Sequence, residues 1–273
     1  MSDPILLTAI DIDGTLMTPE GQLTARNAWA IRQASEAGVQ IVLATGKTRA
    51  SAEHLFHELG LETPGVFNQG LVIYDGDGAV LQETSFDPET AAAIIRFAEA
   101  RSLPYFAYSG TRMLTSADSI FRQRLHHLYD EPLPEVVGSV LPYLDDVRVN
   151  KFIVCDPVDD GQVRKALARL CADQAHVTQA VSQFIEVLPP GTSKGGGLAW
   201  LLQYLGVPPR QVMAIGDGEN DLEMLQLAGI GVAVGNAHER VKAVADFVVA
   251  SNRESGVAQA IDRFILRTNA GPR

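Results

Sequence analysis

Short apolar runs alternate in the first eighty residues with segments whose apolar positions recur every three or four residues, which predicts βαβ units feeding a parallel sheet. The first run, Ile5 to Ile10, reads as a buried strand that delivers Asp11. Thr24 stands where an N-cap belongs, ahead of a helix to about Ala37 with Gly38 as its C′ residue. A second strand, Val39 to Ala44, ends at Thr45-Gly46, and a helix from Arg49 to Leu59 stops at Gly60. Val66-Phe67 and Leu71 to Tyr74 are expected to continue the sheet before Asp75-Gly76-Asp77-Gly78 makes a hairpin-type turn.

From about Ser85 the pattern changes. Helices are predicted at Glu89 to Arg101, Ile120 to Tyr129 and Gly161 to Cys171, and strands at Lys151 to Cys155, Ala175 to Thr178 and Phe184 to Val187. Prolines 132, 134 and 142 punctuate the connections, as in an inserted α+β module. Regular βα alternation returns from Ser193, with helix Lys194 to Leu205, strand Gln211 to Ile215, helix Glu219 to Leu227 and strand Gly231 to Val234. Helix His238 to Ala243, a short strand Phe247 to Ala250 and a helix Val257 to Leu266 follow, and Thr268 to Arg273 reads as a frayed tail. The fold class is therefore α/β: a Rossmann-like, doubly wound parallel core formed by 1–84 and 188–273, interrupted by an α+β domain at 85–187.

Composition narrows the function. The 273 residues carry 22 Lys and Arg against 33 Asp and Glu, a net charge of −11, with no basic run to neutralise a phosphate backbone, so a nucleic-acid partner is not expected. An anionic substrate then needs a local cation or a metal. Cys155 and Cys171 are too few for a disulfide framework or a zinc site. With no leader-like segment and no membrane-spanning run, a cytoplasmic protein is expected, without a membrane partner and either monomeric or homodimeric.

Candidate chemistry gathers at strand ends and helix starts, where ligands of open parallel sheets collect. In Asp11-Ile12-Asp13-Gly14-Thr15, strand alternation puts Asp11 and Asp13 on one face with Ile12 turned into packing. The run Gly216-Asp217-Gly218-Glu219-Asn220-Asp221 follows another apolar strand, so Asp217 projects toward the same edge. Carboxylates converging there repel one another unless a divalent cation sits among them, and oxygen ligands describe a Mg²⁺ site. Asp221 is a further ligand or an outer partner, and Asn220 orients Lys194 or the substrate. Thr45 and Gly46 offer a hydroxyl and backbone N–H groups to phosphate oxygens, or else cap the next helix. Lys194 opens a helix, where the dipole disfavours a cation, and it is the local positive charge that the acidic surface demands.

Asp11-Ile12-Asp13-Gly14-Thr15, Thr45-Gly46, Lys194 and Gly216-Asp217 through Asn220-Asp221 resemble, in order and spacing, the four motifs of the haloacid dehalogenase superfamily. The insertion resembles the type 2B cap of its Cof-like phosphatases. The resemblance implies Asp11 as nucleophile, Asp13 as general acid and then base, and Mg²⁺ held by Asp11, the Asp13 carbonyl and Asp217, with Asp221 nearby. It implies that Thr45, Gly46, Lys194 and Asn220 serve the phosphoryl group. The implied activity is a Mg²⁺-dependent phosphatase acting on a small phosphorylated metabolite, a sugar phosphate foremost. A sugar phosphomutase and a non-catalytic phosphometabolite sensor are the alternatives. Two departures bear on substrate choice: Lys47 stands where many members have Arg, and Asn68-Gln69-Gly70 where many have Asn-Gly-Ala. Gln69 faces the leaving group or fits a local bend. In the insertion, Tyr105, Tyr108, Arg112, His126, His127 and Lys151 are candidates for substrate recognition, Arg112 first among them.

Overall fold

The computed structural model describes residues 4–267. The chain divides into two compact units, one of Met1–Gly46, Glu53–Leu81 and Ser193–Arg273, the other of Lys47–Ala52 and Gln82–Thr192. The tail at 268–273 lies outside the described residues.

The first unit is built on a five-stranded parallel sheet in the order Phe247–Val248, Ile230–Ala233, Val212–Gly216, Leu7–Ile10, Gln40–Leu43. Leu7–Ile10 is buried throughout, which is why its sequence is a continuous apolar run rather than an alternating one. It lies between Gln40–Leu43 and Val212–Gly216, where the strand order reverses, and the crevice beyond its carboxyl end is the ligand position of such sheets. The helix Ala25–Glu36 begins at Thr24, whose side chain accepts from the Asn27 N–H, and Gly38 turns the chain after it at φ 87°. The helix Lys194–Leu205 is capped in the same way by Ser193, which accepts from the Gly196 N–H.

Two expectations need correction. The strands Gly65–Phe67 and Val72–Tyr74 do not extend the parallel sheet. They pair antiparallel with each other in a separate three-stranded sheet completed by Val80–Glu83. Thr45 N–H to Val66 carbonyl and an isolated Ala44–Val66 bridge tie them to the end of the neighbouring strand. The expected helix from Glu219 to Leu227 is a tight turn at Glu219–Asp221 followed by a helix at Leu222–Leu227.

The second unit carries a six-stranded sheet in the order His176–Val181, Phe184–Leu188, Lys151–Cys155, Tyr105–Ser109, Arg112–Thr115, Glu135–Val136. Tyr105–Ser109 and Arg112–Thr115 escaped the sequence reading, although aromatic Tyr105-Phe106-Ala107-Tyr108 followed by a Ser-Gly-Thr turn is a hairpin signal. Its alternation is masked because both faces are buried. Tyr105, Ala107, Phe152 and Val154 pack with the helices Pro88–Glu99 and Gln162–Cys171, while Phe106, Ile153 and Cys155 pack with Phe121 and Leu125 of Ile120–Tyr129.

Candidate active site

Asp11 stands one residue beyond the central strand, its N–H still bonded to the Ile215 carbonyl at 3.0 Å. The chain then leaves the sheet. Leu16 N–H reaches the Asp11 and Ile12 carbonyls, Met17 N–H the Ile12 carbonyl, and Gly14 takes φ 82°. Asp13 is therefore on this turn, exposed, whereas Asp11 is buried. Strand alternation is not what relates the two carboxylates. Ile12 is buried beneath them.

Three asparagines hold that turn by its carbonyl groups. Asn236 Nδ2 donates to Gly14 O at 2.7 Å, Asn27 Nδ2 to Leu16 O at 3.1 Å and Asn252 Nδ2 to Met17 O at 2.7 Å. Asn236 Oδ1 in turn accepts from the Asn252 N–H, and Asn27 Oδ1 from the Ala258 N–H. None was singled out from the sequence, because an isolated asparagine looks like any other turn or cap residue until the fold brings it to a carbonyl.

Lys194 joins the two acidic segments. Its Nζ, buried, donates to Asp11 Oδ1 at 2.7 Å and to Asp221 Oδ1 at 2.6 Å. The other oxygen of Asp221 accepts from the backbone N–H groups of Asp217 and Gly218, both at 3.0 Å. Asp221 thereby fixes both the ammonium and the loop that carries Asp217. Asp217 Oδ1 accepts from the hydroxyl of Thr15 at 2.8 Å, a residue with no exposed surface. Gly14 is small for this reason as well as for its backbone: a Cβ there would lie 2.4 Å from Asp217 Oδ2. Gly195 and Gly197 likewise let the Lys194 helix approach Glu223 and Gly70, with a Cβ 2.5 Å and 2.7 Å from its neighbour.

Burial, with the charge of Asp221 after it, lifts the Asp11 carboxyl well above the ordinary carboxylate range despite Lys194. Burial also raises Asp217, against the Thr15 hydrogen bond that favours its anion. For Lys194 burial opposes the charge, yet Asp11 and Asp221 outweigh it and raise the ammonium above its usual value. One oxygen each of Asp11, Asp217 and Asp221 lies within 4.8 Å of the others. Three carboxylates against one ammonium are a donor set suited to a hard divalent cation.

Thr45 is buried, and its carbonyl accepts from the Gln69 N–H at 3.1 Å. Asn220 Nδ2 donates to Gln69 Oε1 at 3.0 Å, and the Gln69 amide lies over Gly46. Asp11, Thr45, Gly46, Gln69, Lys194, Asp217, Asn220 and Asp221 thus form one connected neighbourhood.

The candidates of the second unit sort by their partners. Arg112 is exposed and engaged bidentately by Glu135, at 2.9 and 2.8 Å. Tyr105 donates to Glu99 and accepts from the Val140 N–H, and His126 bonds the Glu131 carbonyl. Lys151, buried, pairs with Glu186 at 2.8 Å and lies over the Tyr108 ring.

The pattern of the haloacid dehalogenase-like hydrolases matches residues 8–261. Endoribonuclease YBEY, chloroplastic, of Arabidopsis thaliana is 38% identical over 265 residues, covering 93% of this chain and 45% of that protein, so the chain spans less than half of that relative. HMP-PP phosphatase of Cronobacter sakazakii is 30% identical over 244 residues, 85% of this chain and 84% of that one. A haloacid dehalogenase-like hydrolase from Bacteroides thetaiotaomicron superposes with a TM-score of 0.86 at 29% identity, over 95% of this chain and 99% of that one. No helix among the described residues is long and apolar enough to cross a membrane. By a match running nearly its whole length, the chain belongs to the haloacid dehalogenase-like hydrolases, an enzyme of their Cof-like branch.

Proposed function

We propose that this chain is a Mg²⁺-dependent phosphatase that hydrolyses a small phosphorylated metabolite, a sugar phosphate, through an aspartyl-phosphate on Asp11. The observation that carries the reading is the buried Asp11–Lys194–Asp221 array beside Asp217. Asp11 stands at the switch point of the sheet with an ammonium 2.7 Å from one oxygen. Its carboxylate attacks phosphorus while the bond to the leaving oxygen breaks, and Asp13, exposed on its turn, delivers the proton that the leaving oxygen takes up. Asp13 then withdraws a proton from water, which attacks the acyl phosphate, releases inorganic phosphate and restores Asp11. Lys194 spreads positive charge over the transferring group, and Thr45 offers it a hydroxyl. Asp11, Asp217 and the Asp13 carbonyl would hold Mg²⁺, whose charge offsets that of the phosphoryl oxygens. Asp221, whose oxygens already receive Lys194 and two N–H groups, serves as the outer support of that site.

The nuclease name of the plant relative is not carried over, because more than half of that protein lies outside the match and this chain is acidic. Purified protein with Mg²⁺ should release phosphate from p-nitrophenyl phosphate and from sugar phosphates, and Asp11→Asn should abolish it. Undiminished turnover in that variant overturns the nucleophile, and an isomerised ester without free phosphate overturns hydrolysis.

A further inference from the structure

The turn between the strands Gly65–Phe67 and Val72–Tyr74 holds three consecutive residues at positive φ: Asn68 at 49°, Gln69 at 62° and Gly70 at 88°. Glycine accepts that backbone freely, whereas a residue with a side chain is strained in it and stays only where its surroundings enforce it. Gly70 is also required for space, since a Cβ would stand 2.1 Å from the Ser193 carbonyl oxygen. Gln69 is different: glycine in its place would relieve the backbone, so its retention points to a use for the side chain.

That side chain enters the site. Its Oε1 accepts from Asn220 Nδ2 at 3.0 Å, while the backbone N–H of the same residue donates to the Thr45 carbonyl at 3.1 Å. The amide nitrogen lies over Gly46, so close that a Cβ on Gly46 would fall 2.7 Å from it. Gly46 is not among the glycines at positive φ; its missing side chain makes room for the Gln69 amide. One strained residue therefore ties the Thr45-Gly46 segment to the loop of Asp217 and Asn220.

We propose that Gln69 is a specificity-determining residue that hydrogen-bonds hydroxyl groups on the leaving group of a polyhydroxylated phosphate ester. The proposal rests on the phosphatase reading of the same site. The phosphoryl group has its cation in Lys194 and a hydroxyl in Thr45, and a neutral amide adds little for an anion already served by charge. The Gln69–Asn220 pair is uncharged. Asn220 holds Oε1 and so turns Nε2 toward the Gly46 side, giving a neutral donor of fixed direction that suits a sugar hydroxyl. A flat aromatic leaving group without hydroxyls has nothing to meet it.

The test compares Gln69→Gly and Gln69→Ala with the wild type, in kcat/KM for p-nitrophenyl phosphate and for a panel of hexose and pentose phosphates, with thermal unfolding alongside. The ratio of the best sugar phosphate to p-nitrophenyl phosphate is expected to fall about tenfold in both variants, mainly through KM, as for one lost hydrogen bond. Gln69→Gly should unfold no lower than the wild type because the backbone is relieved. A residue that merely fills space would instead lose stability in Gln69→Gly and move both substrates together. A ratio within about twofold of the wild type overturns the proposal, as does a wild type that prefers p-nitrophenyl phosphate to every sugar phosphate. Failure of the underlying reading shows separately: turnover of p-nitrophenyl phosphate that survives Asp11→Asn removes the phosphatase assignment, and the Gln69 proposal with it.

Discussion

Lys194→Met strips the site of its cation while keeping an unbranched side chain of similar length. It removes two charge-assisted hydrogen bonds, 2.7 Å to Asp11 and 2.6 Å to Asp221, made by an ammonium without exposed surface. Removing one member of a buried ion pair costs about 3–5 kcal/mol, because the charge left behind has lost its solvent and its partner. Two carboxylates are stranded here, and protonation of one relieves the strain. Asp11 is the group that protonates, since burial and the charge of Asp221 already hold its carboxyl above the ordinary range. The variant's native state then binds more protons than the unfolded chain from about pH 4, where an unfolded aspartate titrates, up to the raised native value. Stability falls as pH rises through that window. The loss relative to the wild type should be about 3–5 kcal/mol at pH 8 and smaller at pH 5.5, a large share of the 5–15 kcal/mol of an ordinary domain. Urea unfolding followed by circular dichroism, in buffer with a chelator, measures both. A loss below about 1 kcal/mol at pH 8, or equal losses at the two pH values, would refute the argument that Lys194 compensates two buried anions.

The wild type without metal should show the same slope more gently, because raised Asp11 and Asp217 make it less stable as pH increases above the unfolded carboxylate value; saturating Mg²⁺ should therefore raise Tm more at pH 8 than at pH 5.5, by calorimetry. Thr15→Val keeps the shape and removes the donor to Asp217, and the Mg²⁺ concentration for half-maximal activity should rise about tenfold. Gly14→Ala should lose activity at least a hundredfold, since its Cβ meets Asp217 Oδ2 at 2.4 Å, whereas Gly21→Ala, with a similar backbone and nothing within 4 Å, should cost only about 1–2 kcal/mol of stability and leave turnover alone. Asn236→Ala removes the hydrogen bonds to the Gly14 carbonyl and from the Asn252 N–H and should cost about 0.5–1.5 kcal/mol in urea unfolding, with kcat reduced more than KM is raised.

Most helices were legible from local chemistry. Thr24, Ser193, Gly38 and Gly60 mark ends that hydrogen bonding would set in any fold, and Arg49–Leu59 runs between the residues its pattern indicates. Where one face does not meet water, the pattern fails. Tyr105–Ser109 is buried on both sides, so its alternation is invisible, and the short strands after Thr45 carry no mark of which sheet they join. The stretch at Glu219–Leu227 reads as one helix by periodicity, but Asp221 spends its carboxylate on Lys194 and the Asp217 and Gly218 N–H groups, which holds the first turn tight.

By itself the sequence determined which residues stand at the ends of buried strands, because apolar runs and their breaks are local, and so named Asp11, Asp217 and Lys194 as chemistry awaiting a place. Only the tertiary structure decided what each one faces. The parallel pairing of Leu7–Ile10 with Val212–Gly216 brings two loops two hundred residues apart to one edge, where a 2.7 Å ion pair replaces mutual repulsion. It also decided how Asp13 is presented, on a turn held by Asn27, Asn236 and Asn252 rather than on a strand, since hydrogen bonds from distant side chains leave no periodicity in the chain.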